Sequence, residues 1–196
     1  MVKLLVILLI AVLTWKVLLQ DDAIELGPGV HAAELPQQEK LDSPRSFVHA
    51  GYRVTPLAEF SIRAKVLSRE DYSSGRESDL SPLDLALGWG RMSDEAVLQH
   101  IEISQSGRWY RWRTGQLPIP RREIETHSAN MHMIPADDPV NDILDDVRRG
   151  QIVELSGFLV RADADDGWRW VSSLSREDTG GHSCELVYVK RARIVE

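Results

Sequence analysis

Residues 58–67 read AEFSIRAKVL, and apolar side chains occupy every second position, at Phe60, Ile62, Ala64 and Val66. This alternation has the two-residue period of a β-strand that buries one face and exposes the other. It is the clearest strand pattern in the amino-terminal half of the chain. The stretch therefore predicts a half-buried strand within a β-rich core.

The chain downstream predicts further short strands. Residues 101–113 (IEISQSGRWYRWR) indicate a hairpin of two strands around a Ser-Gly pair. Residues 151–161 (QIVELSGFLVR) predict a strand with Gly157 at its middle, where a bulge or a bend is expected. Residues 168–171 and 185–189 complete the set of predicted strands.

The strongest helix pattern covers residues 138–149. Asp137 or Asp138 supplies the amino-terminal cap, a proline fits the first turn, and Gly150 ends the helix. An apolar stripe follows the spacing of an amphipathic helix, with Val140, Ile143, Leu144 and Val147 on one face. One amphipathic helix is therefore expected between two strands.

A second, weaker helical pattern lies earlier in the chain. Residues 82–90 (PLDLALGWG) predict a short helical turn interrupted by glycines, and Ser93 is expected to cap another turn. The nearby acids Asp84 and Asp94 are interpreted as caps or turn residues rather than as a catalytic pair.

The number and length of these elements indicate a mainly β (α+β) domain. Many short strands, one inserted amphipathic helix and a glycine in mid-strand are typical of a small, strongly bent β-barrel. We predict a barrel of the OB-like (oligonucleotide/oligosaccharide-binding) or SH3-like kind, behind an amino-terminal transmembrane helix.

The amino terminus carries the transmembrane prediction. Residues 4–15 read LLVILLIAVLTW and follow Lys3, whereas acidic residues follow residue 20. This charge asymmetry predicts a cytoplasmic amino end and an extracytoplasmic remainder. We interpret residues 1–19 as an uncleaved signal anchor, with a removed secretory signal as the alternative, because residues 17–20 lack the small side chains of a cleavage site.

Composition divides the rest of the chain. Residues 20–45 mix Pro, Gly, acids and Gln without an apolar period, which predicts a flexible linker. Residues 46–196 are then a single extracytoplasmic domain. Beyond Leu19 the chain contains 30 acidic and 21 basic residues, a formal charge of −9, which argues against nucleic acid as a partner. Cys184 is the only cysteine, so an internal disulfide is excluded.

The segment 172–185 (SSLSREDTGGHSCE) concentrates reactive side chains. As an enzyme, the protein would use Cys184 as nucleophile, because a thiol next to a base becomes a thiolate at neutral pH, with His182 or His132 as that base. The alternative is that Cys184 is a small core residue at the start of the last strand.

Residues 180–186 (GGHSCEL) resemble the serine-histidine-glycine-cysteine signature of L,D-transpeptidases, which are cell-wall enzymes. The resemblance covers a handful of positions. Ser183 stands where that signature has glycine, and the order of His and Ser is reversed. The resemblance implies an extracytoplasmic cysteine enzyme as the alternative to a binding protein.

Aromatic and charged side chains suggest a ligand-binding face. Tryptophan stacks on sugars and peptides, and arginine pairs with carboxylates. The candidate ligand-binding residues are Trp109, Arg111, Trp112, Arg176 and Asp178. The competing interpretation is that the tryptophans only fill the core.

Neither a metal nor a cofactor is predicted. The five-residue separation of His127 and His132 fits neither helical nor strand spacing of zinc ligands. Residues 163–167 (DADDG) resemble a calcium loop, but the Asp-Gly pair between two strand patterns better predicts a hairpin turn.

The sequence thus predicts a noncatalytic binding or assembly module of the cell envelope. We expect it in the inner (cytoplasmic) membrane, crossing once through residues 4–19, with an envelope protein or a cell-wall component as partner. An envelope cysteine hydrolase or L,D-transpeptidase-like enzyme is one alternative, and an accessory subunit of a larger membrane complex is the other.

Overall fold

The computed structural model describes residues 23–181 and 183–196, so the predicted membrane helix at 1–19 lies outside the described residues. No helix within these two ranges has the length and apolar character needed to cross a bilayer. The described chain is mainly β, as predicted. Its strands are β1 (Gln37–Lys40), β2 (Phe47–His49), β3 (Tyr52–Asp71), β4 (Leu83–Gly88), β5 (Glu102–Ser106), β6 (Trp109–Arg113), β7 (Ser128–Pro135), β8 (Ile152–Asp163), β9 (Arg169–Val171) and β10 (Glu185–Ile194).

The helical elements are short. They are α1 (Glu95–Leu98), α2 (Arg121–Thr126) and α3 (Asp138–Asp145), together with 3-10 turns at Arg76–Asp79 and Gly90–Ser93.

Five strands form a ring of pairings. Strand β3 pairs with β4 through its last residues and with β8 through its first ones, and the path from β4 through β7 and β10 to β8 joins the two partners. Strands β7 and β10 run parallel, whereas the other pairs of the ring are antiparallel. Strands β1 and β2 add to β3, and β9 adds to β8. The sheet therefore returns on itself around one apolar core.

The alternating pattern of residues 58–67 is confirmed. The apolar positions of β3 are almost completely buried, with Phe60 at 3% exposure and Ile62 at 4%. They pack with inward side chains of the other ring strands, including Leu85, Met131 and Val187. Burial of these side chains from water is the main stabilising contribution to the fold.

The helical turn predicted at residues 82–90 is wrong, because Leu83–Gly88 form strand β4. This strand pairs with β3 on one side and β7 on the other, and all six of its residues are buried. Leu85 faces the core, whereas Asp84 lies on the opposite face beneath the β5–β6 hairpin. A strand that is buried on both faces lacks the alternation of apolar and polar residues by which a half-buried strand is recognised in a sequence.

The cap of α1 also differs from the prediction. The carboxylate of Asp94 accepts the N–H of Ala96 at 2.9 Å, so Asp94 is the cap. The hydroxyl of Ser93 instead accepts the N–H groups of His31 and Ala32. Asp94 is thus a cap as interpreted, whereas Asp84 is not.

Helix α3 begins where predicted and ends earlier. Asp137 is the cap, since its carboxylate accepts the N–H of Val140 at 3.0 Å. The guanidinium of Arg69 donates to the carbonyls of Leu144 and Val147 at 2.6 and 2.9 Å. Because these carbonyls are bound by a side chain from β3, the last predicted turn of the helix is replaced by a turn toward β8.

Residues 23–45, most of the predicted linker, lie against the domain. Strand β1 pairs with β3, Ala32 is fully buried, and the N–H of Ile24 donates to the carbonyl of Arg149 at 2.9 Å. These residues therefore contribute to the folded body. A truncated domain must start before residue 23 to keep these contacts.

Both predicted hairpins are present. Strands β5 and β6 form one, with alternating exposed and half-buried residues on its two faces. The other joins β8 to β9, and its turn contains Gly167 at φ 89°, as expected for an Asp-Gly turn. Residues 163–167 therefore lie in the end of β8 and the hairpin turn that follows it, as the Asp-Gly pair predicted.

Substitution of Gly157 by alanine should destabilise the fold. Gly157 lies opposite Val189 next to a register shift between β8 and β10, and a Cβ atom there would lie 1.9 Å from the carbonyl oxygen of Tyr188. The strands must separate to admit the methyl group, at a cost of about 1–3 kcal/mol. Chemical denaturation measures this loss. The matched control is Gly115→Ala, because no atom lies within 4 Å of its Cβ position; equal stability of both variants would contradict the close approach.

Candidate functional site

A cavity of about 220 Å³ lies between strand β6, the start of β7 and the loop that precedes β10. Aromatic side chains from the hairpin form part of its wall, and polar side chains of the loop face them. The residues that matter for its chemistry are Trp89, Trp109, Tyr110, Trp112, Asn130, Arg176, Asp178, Cys184 and Glu185.

The cavity brings together most of the residues proposed from the sequence. Its lining includes the predicted residues Trp109, Trp112, Arg176, Asp178 and Cys184. These residues come from two segments about 60 positions apart in the chain. Neither segment could form the cavity alone.

Three predicted residues do not line the cavity or cannot be placed. Arg111 is exposed and donates to the hydroxyl of Ser106 at 3.0 Å. His132 is 3% exposed and faces Asp84. His182 lies outside the described residues.

The aromatic wall follows from the alternation of β6. Trp109 is 45% exposed at the rim, whereas the hydroxyl of Tyr110 reaches inward to the hydroxyl of Ser128 at 3.0 Å. Burial raises the pKa of Tyr110 to about 12, so its phenol stays neutral. Trp112 lies under the guanidinium of Arg121, 4.9 Å from the ring centre, which fixes its orientation.

Glu185 is the unexpected residue of the site. The alternation of β10 that turns Val187 and Val189 into the core also turns Glu185 inward, and Glu185 is 1% exposed. Removal of its carboxyl from water raises its pKa to about 8, although the positive charge of Arg176 acts in the opposite direction. Glu185 is therefore mostly protonated at neutral pH.

Arg176 is the charged partner of Glu185. Its Nη1 atom contacts Oε1 of Glu185, and its guanidinium lies 5.9 Å from the centre of the Phe60 ring. Its three guanidinium nitrogens are buried and make no aligned hydrogen bond to the described residues. The same is true of Oε2 of Glu185 and Nε1 of Trp89. Several unsatisfied polar atoms thus belong to the lining of one cavity.

The other acids of the cavity have partners. The carboxylate of Asp178 accepts the hydroxyl of Ser173 at 2.6 Å. Glu125 pairs with Arg121 at 3.2 Å. The unsatisfied hydrogen-bonding groups of the cavity are therefore concentrated on Arg176, Glu185 and Trp89.

Cys184 is poorly placed for nucleophilic catalysis. Its Sγ atom lies 4.0 Å from Nδ2 of Asn130 and 4.0 Å from the carbonyl oxygen of Arg108. Burial, followed by the charge of Glu185, raises the pKa of the thiol to about 11. Among the described histidines, none hydrogen-bonds to Sγ. This environment favours the neutral thiol, as expected for a packed cysteine.

Sequence reasoning missed a buried charged network that adjoins the cavity through Asn130. Asp84 is fully buried, and its Oδ1 atom lies 2.8 Å from Nδ1 of His132 and 2.7 Å from Nη1 of Arg108. Nδ2 of Asn130 donates to the other carboxylate oxygen at 3.3 Å. Arg108 also stacks on the ring of Tyr72 at 3.7 Å. This network joins the β5–β6 hairpin to β4 and β7, so it positions the cavity wall.

One signal in the sequence could have revealed this network. Asn130 and His132 alternate on one face of a strand, opposite Ala86 and Asp84 of β4. Because both residues are polar, the apolar alternation of a strand is missing here, and the strand is recognised only if Asp84 is identified as their buried partner.

Metal binding has no support in the described ranges, where no group of three His, Cys, Asp or Glu side chains is arranged to hold an ion. His127, whose spacing from His132 does not fit zinc ligands, has Nδ1 within 3.2 Å of the carbonyl oxygen of Glu123.

Comparison of the chain with known proteins gives no match to any family model, curated protein or solved structure. The function must therefore be argued from the cavity itself.

Replacement of Glu185 by glutamine should change how stability depends on pH. The folded-state pKa of Glu185 is raised from 4.5 to about 8, so the folded state retains a proton that the unfolded chain loses. This contribution to stability is fully present below pH 4.5 and is lost as the pH rises to about 8, a change on the order of 3–5 kcal/mol. Glu185→Gln should abolish most of this slope in denaturation experiments between pH 5 and 8.5.

The matched control is Glu154→Gln. Arg193 and Arg63 lower the pKa of Glu154, so its titration lies below this window. A wild-type slope that survives in Glu185→Gln would contradict the buried, protonated carboxyl.

Alkylation of Cys184 should report a thiol that is difficult to ionise. Because burial raises its pKa to about 11, the rate with iodoacetamide should still rise at pH 10 in the native full-length chain. The same chain in denaturant should level off near the ordinary thiol pKa of about 8.5. A native rate that levels off below pH 8 would instead identify a reactive thiolate.

Proposed function

We propose that the protein is a noncatalytic binding or assembly module of the cell envelope, and that the cavity beside β6 is its recognition site. The observation that carries the proposal is the convergence of Trp109 and Trp112 with the buried, incompletely hydrogen-bonded Arg176 and Glu185. A buried polar group without a hydrogen-bond partner destabilises the folded state, so its presence in a native protein calls for an explanation such as ligand binding. Aromatic walls with a few convergent polar groups are typical of ligand sites.

The topology supports the OB-like alternative for the fold. In chain order the ring strands are β3, β4, β7, β8 and β10, and the pairings run first, second, third, fifth, fourth and back to first. The helix α3 lies between the third and fourth strands. This strand order and the place of α3 support an OB-like fold, a five-stranded and partly open Greek-key barrel whose loops bind ligands.

The proposed location rests on the sequence of the amino terminus. The apolar run at residues 4–15, with Lys3 before it, supports a single-pass anchor in the inner membrane with the domain outside. An anchored domain meets its partner at a raised effective concentration near the bilayer. The charge of −9 beyond Leu19 supports an envelope protein or a cell-wall component, rather than nucleic acid, as that partner.

The noncatalytic part of the proposal is supported by the state of Cys184. An envelope hydrolase or L,D-transpeptidase-like enzyme needs a thiolate and a neighbouring base. The raised pKa of Cys184 disfavours the thiolate, and the neighbours of its Sγ atom are Asn130 and the carbonyl of Arg108 rather than a described histidine. An accessory subunit of a membrane complex is a special case of the same binding role.

Site-specific photo-crosslinking in living cells tests the proposal. A photo-crosslinking amino acid at Trp109, at the cavity rim, should give one discrete cross-linked product in the full-length chain. The product should disappear when Arg176→Gln is added, because recognition then lacks its charged group. An alkaline phosphatase fused at residue 196 should be active, because that enzyme folds only outside the cytoplasm.

Val48 is the matched control position. It is 78% exposed on β2 and does not line the cavity, so the same amino acid there should give no such product. Equal products at both positions, or a product that survives Arg176→Gln, would remove the cavity from the proposal. An inactive phosphatase would remove the extracytoplasmic location.

A further inference from the structure

Several polar atoms of the cavity make no aligned hydrogen bond to the described residues, and they indicate which group a ligand could supply. The guanidinium nitrogens of Arg176 and the indole nitrogen of Trp89 are all hydrogen-bond donors, and all are buried. A buried donor without an acceptor costs on the order of 1–3 kcal/mol, and a charged one costs more. Among the described buried atoms of the cavity that lack a hydrogen bond, donors on Arg176 and Trp89 therefore outnumber the one acceptor, Oε2 of Glu185.

The charge immediately around the guanidinium of Arg176 points in the same direction. Asp178 and Glu125 make their contacts to Ser173 and Arg121 rather than to Arg176. Among the described residues, the acid that contacts Arg176 is Glu185, and burial keeps that carboxyl mostly protonated at neutral pH. A guanidinium is always charged in proteins, so the uncompensated charge of the pair is positive.

We propose that the cavity binds a carboxylate group of the partner, which pairs with the guanidinium of Arg176 and accepts the indole N–H of Trp89. This inference rests on the proposed binding function and specifies the chemistry that the site recognises. A planar carboxylate matches the fork of a guanidinium with two parallel hydrogen bonds, which a neutral amide cannot reproduce.

The walls restrict the group that carries the carboxylate. Trp109 and Trp112 offer flat apolar faces near the mouth of a space of about 220 Å³. A peptide terminus or a short acidic side chain fits such a space, whereas a folded surface does not. The acids Asp178 and Glu125 add negative charge to the lining, which disfavours a doubly charged phosphate relative to a single carboxylate.

Glu185 competes with the bound carboxylate for Arg176. When Glu185 loses its proton, its own negative charge pairs with Arg176 and repels the ligand. The described charged or titratable groups around it are Arg176 and Asp178 from the loop before β10, the thiol of Cys184, and Glu125 from α2. Burial raises the pKa of Glu185 to about 8, so its ionisation should change affinity between pH 7 and 9.

Binding of matched small probes to the full-length chain in detergent tests the inference. N-acetylalanine and N-acetylphenylalanine are compared with their primary amides and with inorganic phosphate, by calorimetry and by tryptophan fluorescence. At pH 7 the carboxylates should bind at least tenfold more tightly than the amides and more tightly than phosphate. Between pH 7 and 9 carboxylate affinity should fall about tenfold as Glu185 ionises.

Two variants and one control separate the contributions. Arg176→Gln should abolish carboxylate binding, whereas Arg111→Gln should leave it unchanged, because Arg111 does not line the cavity. Glu185→Gln retains Arg176 and removes the competing charge, so its carboxylate affinity should no longer depend on pH between 7 and 9. This second variant keeps the test decisive even where Arg176→Gln fails to fold.

The outcomes distinguish this inference from the binding function on which it rests. Equal affinity for acids and amides, tighter binding of phosphate, or no carboxylate binding would overturn the carboxylate assignment. The Trp109 cross-link would still stand in those cases if the partner is recognised in another way. If Trp109 gives no cross-linked product but the carboxylates bind as expected, the proposed partner-binding function would be wrong, whereas the carboxylate site would stand.

Discussion

The closure of the sheet depends on β3 pairing with strands on both of its sides. Its 20 residues extend past the length of its neighbours, so one part pairs with β8 and another with β4. Register shifts near Pro56 and near Val66 bend the strand between these partners. Because a closed ring leaves few edges, a single long strand both encloses the core and removes sites for intermolecular pairing.

The same closure places charged groups inside the protein. Strand β10 must present an inward face to complete the core, and Glu185 is the first residue on that face. The strand gains burial of Val187 and Val189 but buries a carboxyl at its start. Protonation of Glu185 and its contact with the guanidinium of Arg176 reduce the cost of burying this carboxyl, although its hydrogen bonds to the described residues are incomplete. The proposed affinity for a carboxylate and the expected loss of stability above neutral pH would then both arise from the burial of Glu185.

Local sequence patterns predicted the parts of the fold that have one exposed face. Phe60 to Val66, the β5–β6 hairpin and the start of α3 alternate or repeat at the expected period, and the structure confirms them. Strand β4 was mistaken for a helical turn because both of its faces are buried. Strand β7 was missed because His132 and Asn130 are buried polar residues whose partner, Asp84, is 46 or more positions away. Such contacts leave no local period.

The sequence predicted only part of the cavity lining, because residue type is visible in a sequence whereas burial is not. Residue type alone selected Trp109, Trp112, Arg176 and Asp178, since aromatic and charged side chains carry their chemistry wherever they lie. Glu185 could not be selected, because its importance arises from burial that only the closed sheet creates. Arg111 has the right residue type and shares a face of β6 with Trp109, but its guanidinium binds Ser106 within the hairpin and does not line the cavity. No pattern within the hairpin tells which of its side chains another loop will cover.

The docking of residues 23–45 limits how far the domain can travel. Ile24 is held by the carbonyl of Arg149, so only residues 20–23 separate this contact from the proposed anchor. Four extended residues reach about 14 Å. With the proposed anchor at residues 1–19, a connection of this length would hold the domain next to the lipid headgroups. The proposed partner would then have to reach the bilayer surface to be bound.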